Sequence, residues 1–404
     1  MAVRHSDGHT RDEGALVLIG FAEAMAAIES AWSLQEAGFR VAAFRRAGRR
    51  PALSRVRGVE IYDVPPPEAH AAGTVHAVRE LCDQLSPAAL LPLDDLAVWV
   101  ARQLEDLAVP IAGGTGFAAD CALDKSLQLE IAAKAGLPVP ETQVLSDLAG
   151  FDHTSFPVMV KPSKALYEVA GVLTRPTGIV CASADEFARA AEKSWPGSVL
   201  VQPLIHGVGE GLFGHAGSQR VSAWSAHRRV RMVNPQGSAS SACESVPVDS
   251  DLLQPAQQFL ETIGWRGMFM LEFLRDSSGQ PWFMELNGRA WGSMPLARRR
   301  GFEYPAWTVQ GALDSGFTPS APPRPPDIRC RNVALEIVHL AFVARGPQSS
   351  ASTQWPKLTR AVRDVCTFRR GDRIYNWKRS QPGVFVADTM ETLRSYLRKV
   401  AGRR

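Results

Sequence analysis

Several polar side chains around residue 280 have the types and spacing needed to bind a cation. Glu272 interrupts an apolar segment, and Glu285 and Asn287 lie at alternate positions in a second segment. The intervening residues 276–279 have the composition of a turn. The two segments are therefore predicted to form a β-hairpin.

This predicted hairpin places its acidic residues on one face. With a turn at 276–279, Glu272 faces Phe283, and Glu285 lies diagonally opposite Glu272, at roughly 7–8 Å between backbones. Two carboxylates and the amide of Asn287 offer the oxygen ligands that suit Mg²⁺. Arg289 follows with a planar guanidinium suited to phosphate or carboxylate. The alternative is a solvent-facing hairpin whose glutamates pair with arginines.

The first part of the chain predicts a lobe that could support such a site. Residues 15–44 contain an apolar run, a helical pattern and a second apolar run, and residues 74–93 add a helix and a strand. This alternation is typical of an open parallel sheet with helices on both faces. Because the segment Gly20-Phe-Ala-Glu-Ala-Met has one glycine where a dinucleotide-binding fingerprint needs three, a plain α/β lobe is favoured.

The middle of the chain has an α+β pattern with antiparallel pieces. The segment Asp124-Lys125-Ser126 opens a predicted helix that ends at Gly136. Two further helices are expected near 183–192 and 251–263. The predicted short strands are 158–161, 178–181, 198–202, 268–274 and 282–286.

Proline density over residues 318–327 marks the clearest linker in the chain. The predicted organisation is a disordered leader at 1–14, an α/β lobe at 15–118, an α+β domain at 119–317 and a small separate appendage at 328–404. We expect this appendage either to cover the site or to form a contact in a homodimer.

The composition is that of an ordinary soluble protein, with 45% hydrophobic and 21% charged residues. A net charge of +4 over 404 residues gives no case for a nucleic-acid partner. The six cysteines include no C-x-x-C pair, which argues against a zinc or redox site. The chain shows neither the apolar core of a signal peptide nor a run long enough to span a membrane, so we expect a cytoplasmic protein with no membrane partner.

Several segments together resemble the ATP-grasp superfamily, in its carbamoyl-phosphate-synthase-like or carboxylate–amine ligase branch. Glu285-Leu-Asn287-Gly-Arg289, with Glu272 one strand earlier, resembles the E-x-N-x-R signature of that superfamily. The resemblance covers about residues 15–315, and it implies a two-lobed ATP-grasp domain after the α/β lobe. The other matching landmarks, in the family's order, are Asp124-Lys125 with Gly136 to Pro140, Phe156 to Pro162 with Lys161, Val201 to Ile205 with Gly207 and Glu210, and Ala226 to Arg231.

The resemblance implies a role for each matching residue. Lys125 and Lys161 would meet the nucleotide phosphates. Glu272, Glu285 and Asn287 would hold Mg²⁺, with Mn²⁺ as the alternative metal. The residues implied to meet adenine are Gln202, Pro203 and Leu204, and Glu210 would meet the ribose.

Arg289 is implied to bind the transferred phosphoryl group or the acyl phosphate. Arg229 and Arg231 are alternate residues of one predicted strand, so they are expected to share a face and to clamp a substrate carboxylate with Arg289. Pairing of these two arginines with the hairpin glutamates is the alternative. His227 shares the same predicted face, and a structural role for it is favoured over acid–base catalysis.

The sequence departs from the family pattern in the hinge and in the phosphate loop. Gln202 stands where many members have glutamate. The loop 163–171 lacks the usual cluster of glycines, which allow backbone amides to approach phosphates closely. Ser163 and Lys164 are the residues that could act there instead.

The implied function is that of an ATP-dependent ligase that joins a small, amino-acid-like carboxylate to an amine through an acyl phosphate and releases ADP and phosphate. A carboxylase-like or kinase-like phosphoryl transfer is the first alternative. A nucleotide-sensing protein without turnover is the second.

Overall fold

The computed structural model describes residues 14–148, 155–237, 239–347, 351 and 355–401, without the side chains of 397–401. Residues 1–13 of the predicted leader lie outside the described residues. Across the described part of the chain, no helix combines the length and the apolar character needed to cross a membrane.

The N-terminal lobe contains a four-stranded parallel sheet in the order β3-β2-β1-β4. This confirms the predicted parallel α/β lobe. Because β1 lies between β2 and β4, the loops after β1 and β4 open side by side at the carboxyl edge of the sheet, where α/β sheets usually bind ligands. The elements are β1 (Leu16–Gly20), α1 (Ala27–Glu36), β2 (Arg40–Arg46), β3 (Val59–Val64), α2 (Ala71–Leu85), β4 (Ala89–Pro92) and α3 (Asp95–Arg102), with a 3-10 turn at Ala52–Arg55.

A small antiparallel sheet, in the order β5-β10-β6-β9, follows two helices. The hairpin β7–β8 projects from it as a separate two-stranded unit. The elements are α4 (Gly116–Leu123), α5 (Lys125–Lys134), β5 (Gln143–Leu145), β6 (Val158–Pro162), β7 (Tyr167–Val169), β8 (Val172–Thr174), β9 (Ile179–Cys181), α6 (Ala184–Ala191) and β10 (Val199–Pro203).

A large sheet of seven strands, in the order β15-β14-β11-β12-β13-β16-β17, is built from the rest of the chain. Its strands are β11 (Val208–Ala216), β12 (Val221–Met232), β13 (Ser240–Val246), β14 (Gly267–Arg275), β15 (Pro281–Asn287), β16 (Arg329–Arg331) and β17 (Arg373–Ile374). Its helices are α7 (Leu253–Thr262), α8 (Met294–Arg299), α9 (Tyr304–Leu313), α10 (Val333–Arg345), α11 (Leu358–Cys366) and α12 (Pro382–Ala401), with a 3-10 turn at Ser250–Leu252.

The two faces of the large sheet have different neighbours. Leu271 and Phe273 pack with the apolar residues of α5 and α7. Met268 and Met270, at alternate positions of the same strand, pack with Phe213 and with the core of the N-terminal lobe. Since side chains alternate along a strand, Glu272 lies on the face that meets the N-terminal lobe.

The C-terminal segment, residues 328–401, continues the large sheet. Strand β16 is hydrogen-bonded to β13, so it covers an edge that would otherwise be unpaired. Helix α12 closes on the N-terminal lobe, where the Glu391 carboxylate accepts a 2.6 Å hydrogen bond from the Ala52 backbone N–H. The sequence alone predicts a separate appendage, whereas the structure joins this segment to both other parts.

Candidate functional site

The hairpin β14–β15 contains a β-bulge that brings its two glutamates together. Arg275 pairs with Pro281, so the turn is one residue longer than predicted, and the register shifts again between Glu272 and Phe273. As a result Glu272 lies directly opposite Glu285, and the predicted diagonal placement is corrected. Asn287, opposite Met270, continues the same face.

Each glutamate is paired with a cation from another element. Glu272 forms a 2.6 Å ion pair with Arg229 of β12. Glu285 forms an ion pair with Lys125, the first residue of α5. The helix starts at that point because the Asp124 side chain caps it, accepting hydrogen bonds from the backbone N–H groups of residues 126 and 127.

Lys161 lies at the end of β6 in the same cleft. Burial lowers the pKa of Lys161 to about 8, and the neighbouring charge of Lys125 adds to this effect against the opposing pull of Glu285 and Glu272. For Glu285 burial favours the neutral form, but Lys125 and Lys161 outweigh it and lower the pKa of Glu285 to about 2. The two lysines and this carboxylate therefore form one electrostatic unit.

Arg289 is held by a residue of the N-terminal lobe. Its Nε donates a 2.9 Å hydrogen bond to Asp95, the first residue of α3. Arg175, which follows β8, forms an ion pair with the other oxygen of Asp95. Burial favours the neutral form of Asp95, but the two arginines lower its pKa to about 2.

Sequence analysis did not identify Asp95 or Arg175 as site residues. The only available signal was the pair Asp94-Asp95 directly after the predicted strand at 89–93. Acidic residues at the carboxyl end of a parallel strand are candidates for a ligand site. Nothing in the sequence around Arg175 indicated its partner.

Arg229 and Arg231 do not share a face. Arg229 pairs with Cys243 and Arg231 with Ala242, so a bulge at Val230 places the two arginines on opposite sides of the sheet. Arg231 instead forms an ion pair with Glu336 of α10 and donates a 3.0 Å hydrogen bond to a backbone carbonyl of α11. Of the two predicted clamp residues, the structure brings only Arg229 to the hairpin glutamates.

His227 lies on the face of Arg229 and is completely enclosed. Its ring packs edge-on against Phe213, with 4.7 Å between ring centroids. Burial, with a smaller effect from Arg229, lowers the pKa of His227 to about 3, so the imidazole is neutral at pH 7.

The residues expected to meet adenine line the small sheet beside Lys161. Gln202 pairs with Met159 and Leu200 pairs with Lys161 in the antiparallel register, so Gln202 and Lys161 face the same side. The Gln202 amide donates a 2.7 Å hydrogen bond to the Thr142 hydroxyl.

Two further predicted nucleotide contacts lie at the ends of these strands. The Leu204 backbone N–H, after the exposed Pro203, donates a 3.0 Å hydrogen bond to Pro157. Ser163 is buried, and its hydroxyl lies 3.1 Å from the Tyr167 hydroxyl. The Ser163 backbone carbonyl accepts a 2.6 Å hydrogen bond from the Lys125 backbone N–H, which holds these two predicted nucleotide-binding residues next to each other.

Glu210 lies on the other face of the large sheet. It pairs with Phe273 in the register of β11 and β14, whereas Glu272 pairs with Gly211. The Glu210 carboxylate accepts a 2.8 Å hydrogen bond from Arg275, at the edge of a pocket of about 430 Å³ on that face. The structure therefore does not bring Glu210 together with Lys161 and Glu272.

The residues predicted to hold a metal provide a small set of oxygen donors. Among the described residues, no group of three or more His, Cys, Asp or Glu side chains is arranged to hold a metal. The hairpin offers two opposed carboxylates and the Asn287 amide. This small oxygen set fits Mg²⁺, which keeps several waters and shares its shell with substrate phosphates.

Eight of these side chains form a charged cluster. Five of them are cationic and three are carboxylates, so an anionic ligand would balance their charge. The cluster consists of Lys125, Lys161, Arg175, Arg229, Arg289, Asp95, Glu272 and Glu285.

No protein-family model matches the chain, and no curated protein matches it by sequence. Solved structures do match. An L-amino acid ligase from Bacillus licheniformis aligns with a TM-score of 0.60 and 18% identity, over 76% of this chain and 75% of the ligase.

Two other solved structures align over the same share of this chain, 76%. N5-carboxyaminoimidazole synthetase from Staphylococcus aureus has a TM-score of 0.59 and 13% identity over 79% of its length. Biotin carboxylase from Campylobacter jejuni, in complex with β-γ-ATP, has a TM-score of 0.59 and 16% identity over 72% of its length. Likeness at these identities establishes a common fold, and the chain has the ATP-grasp fold.

Proposed function

We propose that the protein is an ATP-dependent ligase that activates a small carboxylate as an acyl phosphate and transfers the acyl group to an amine, releasing ADP and phosphate. The observation that supports this most directly is the charged cluster. It gathers side chains from the N-terminal lobe, from the small sheet and its hairpin, and from the large sheet. Such a gathering is expected where a polyphosphate and a second anion must lie side by side.

Each residue of the site would handle part of the charge. Lys125 and Lys161 would contact the phosphates of ATP, and Gln202 to Leu204 would meet the adenine. Glu272, Glu285 and Asn287 would hold Mg²⁺, which supplies neutralisation of phosphate charge when bound. Arg231, on the other face of the sheet, has no part in this scheme.

In this structure each of the two glutamates that would hold Mg²⁺ is paired with a cationic side chain. Glu285 is paired with Lys125, and Glu272 with Arg229. With these carboxylates holding Mg²⁺, the Lys125 ammonium would contact phosphate and the Arg229 guanidinium would contact the substrate carboxylate.

The reaction proceeds in two balanced steps. A carboxylate oxygen forms a bond to the γ-phosphorus of ATP while the bond from that phosphorus to the bridging oxygen breaks, giving acyl phosphate and ADP. Arg229 and Arg289 would align the two anions and reduce their repulsion. The amine nitrogen then attacks the acyl carbon, phosphate leaves with the C–O bonding pair, and the amine proton passes to solvent.

The proposal is tested by the products formed from ATP. The protein is incubated with ATP, MgCl₂ and pools of amino acids and other small carboxylates, with and without amines. Formation of ADP and phosphate that requires both a carboxylate and an amine is expected. Carboxylate labelled with ¹⁸O should pass one label to the released phosphate, whereas formation of AMP would refute the proposal.

Carboxylase-like chemistry is the second candidate. It is suggested by the fold that the chain shares with biotin carboxylase and N5-carboxyaminoimidazole synthetase. Release of phosphate with bicarbonate in place of the carboxylate pool would support that candidate. Nucleotide binding without phosphate release from any pool would support a sensor.

A further inference from the structure

The segment that follows Lys161 replaces the expected glycine-rich loop by a hairpin docked on the N-terminal lobe. The backbone carbonyl of Gly171, in the turn of β7–β8, accepts a 2.9 Å hydrogen bond from the Ala71 N–H. The Leu173 N–H donates a 2.9 Å hydrogen bond to Pro67. Leu166 and Leu173 are buried in the core of that lobe. The hairpin therefore has a fixed position at one end of the cleft.

Arg175 directly follows strand β8 of this hairpin and belongs to the charged cluster. It pairs with Asp95, whose other oxygen accepts the 2.9 Å hydrogen bond from Arg289. Two guanidinium groups thus meet on one carboxylate. The Asp95 side chain is 12% exposed, while that of Arg175 is 56% exposed.

The same segment also touches the strand that carries Lys161. At Gly178, three residues after Arg175 along the chain, an added Cβ would lie 3.1 Å from the Lys161 Cβ. The chain between the hairpin and β9 therefore passes against Lys161. Arg175 and Lys161 are therefore linked by a short stretch of chain that packs against the strand of Lys161.

Both guanidinium groups retain hydrogen-bonding capacity in this arrangement. Among the described residues, Arg175 bonds to Asp95 through one terminal nitrogen only. Arg289 uses Nε toward Asp95 and one terminal nitrogen toward the Ala290 carbonyl. A guanidinium group has five N–H donors, so each arginine can engage an anion without leaving Asp95.

We propose that Arg175 is a further binding residue of this site and contacts the terminal phosphoryl group of the nucleotide, with Asp95 holding it beside Arg289. This inference rests on the proposed function. Where the loop lacks glycines to present backbone amides, a side-chain cation from the same segment would bind the phosphoryl oxygens. A contact to the terminal group strengthens binding of a triphosphate and leaves a diphosphate largely unaffected.

The test compares two nucleotides on variants of the full chain. Dissociation constants for ADP and for β,γ-imido-ATP, each with Mg²⁺, are measured by calorimetry. Arg175→Gln should weaken binding of the triphosphate analogue about tenfold or more and that of ADP less than about twofold, because a charge-assisted hydrogen bond to the terminal phosphoryl group is lost. Arg175→Lys, which keeps the charge but not the fork, should lie between wild type and Arg175→Gln.

The matched control is Arg189→Gln, which removes an exposed arginine of α6 and should leave both constants unchanged. Thermal melting of each variant checks that the protein remains folded. Equal affinities of wild type and Arg175→Gln for the analogue, or equal losses for both nucleotides, would overturn the inference alone. Failure of the wild-type protein to bind either nucleotide would refute the proposed function together with it.

Discussion

Glu272 and Glu285 lie directly opposite each other on β14 and β15, and each is paired with a cation from a different element. Like charges at directly opposed positions of a sheet destabilise it unless another group compensates. Here Arg229 and Lys125 provide the compensation. If these two carboxylates held Mg²⁺, Arg229 and Lys125 would be available to contact the substrates.

Replacing either hairpin glutamate by glutamine tests the metal assignment. Glu285→Gln and Glu272→Gln keep the shape of the side chain and remove its charge. We expect kcat to fall by a factor on the order of 10²–10³, because Mg²⁺, whose charge offsets that of the phosphates, would be bound more weakly. Phosphate release is measured over a range of MgCl₂ concentrations, and the Mg²⁺ requirement should move to higher concentration.

The control for these variants is Glu261→Gln, which changes an exposed glutamate of α7. It should match the wild-type protein in kcat and in Mg²⁺ dependence. Circular dichroism establishes that all three variants are folded. Wild-type turnover in Glu285→Gln would remove the basis for the metal assignment.

Substitutions of the neighbouring residues Arg228 and Arg229 of β12 should have unequal effects on catalysis. Arg229 lies against Glu272, whereas Arg228 points to the opposite face and pairs with Glu244 at 2.6 Å. We expect Arg229→Gln to lower kcat/KM for the carboxylate at least about tenfold, through loss of a charge-assisted contact. Arg228→Gln should stay within about twofold of wild type, as is usual for exposed pairs.

Steady-state kinetics with the carboxylate varied at saturating ATP measures this difference. ADP affinity is determined alongside by calorimetry and should be unchanged in both variants. Equal kinetics of the two variants would mean that Arg229 acts only as the partner of Glu272.

The low pKa of Lys161, about 8, predicts how nucleotide affinity changes with pH. Below pH 8 the ammonium is charged and attracts phosphate. Above pH 8 it becomes mostly neutral in the free protein, so binding requires uptake of a proton, and affinity should fall by about fivefold from pH 8 to pH 9. Calorimetry with β,γ-imido-ATP in buffers of different ionisation enthalpy measures both the affinity and the proton uptake.

Lys161→Arg provides the comparison, since a guanidinium group stays charged throughout this range. This variant should bind the nucleotide with nearly constant affinity between pH 7 and pH 9 and without proton uptake. A wild-type affinity that does not change over the same range would show that Lys161 does not contact the phosphates.

Features that depend on nearby residues were predictable from the sequence. The parallel order of the first lobe followed from its alternating apolar and helical segments. The shared face of Glu272 and Glu285 followed from strand alternation, and it survived an error in register because the longer turn and the bulge together shift the pairing by two residues.

Features that depend on distant pairing were not predictable. The bulge at Val230 turns Arg231 away from Arg229, and no residue type in that strand reveals it. The face of Glu210 depends on how β11 pairs with β14. Asp95 and Arg175 are 80 positions apart and meet only because the hairpin docks on the N-terminal lobe.

The buried ion pairs of the C-terminal segment predict that this segment is required for stability. Arg331 of β16 donates hydrogen bonds of 2.6 and 3.0 Å to Glu336, which also pairs with Arg231 of β12. All three side chains are at least nine-tenths buried, so removal of Glu336 leaves the Arg231 guanidinium without this ion pair in the interior. Arg331 keeps a 3.4 Å ion pair with Asp372. Breaking a buried pair in this way typically costs about 3–5 kcal/mol.

Glu336→Ala should therefore lower the free energy of unfolding by about 3–5 kcal/mol, measured by urea titration at pH 7. Glu261→Ala, which removes an exposed glutamate, should change it by no more than about 0.5 kcal/mol. Because Glu336 lies away from the charged cluster, the folded fraction of Glu336→Ala should retain the nucleotide affinity of the wild-type protein. Unchanged stability in this variant would mean that the C-terminal segment is held by its apolar contacts and by the pairing of β16 with β13 alone.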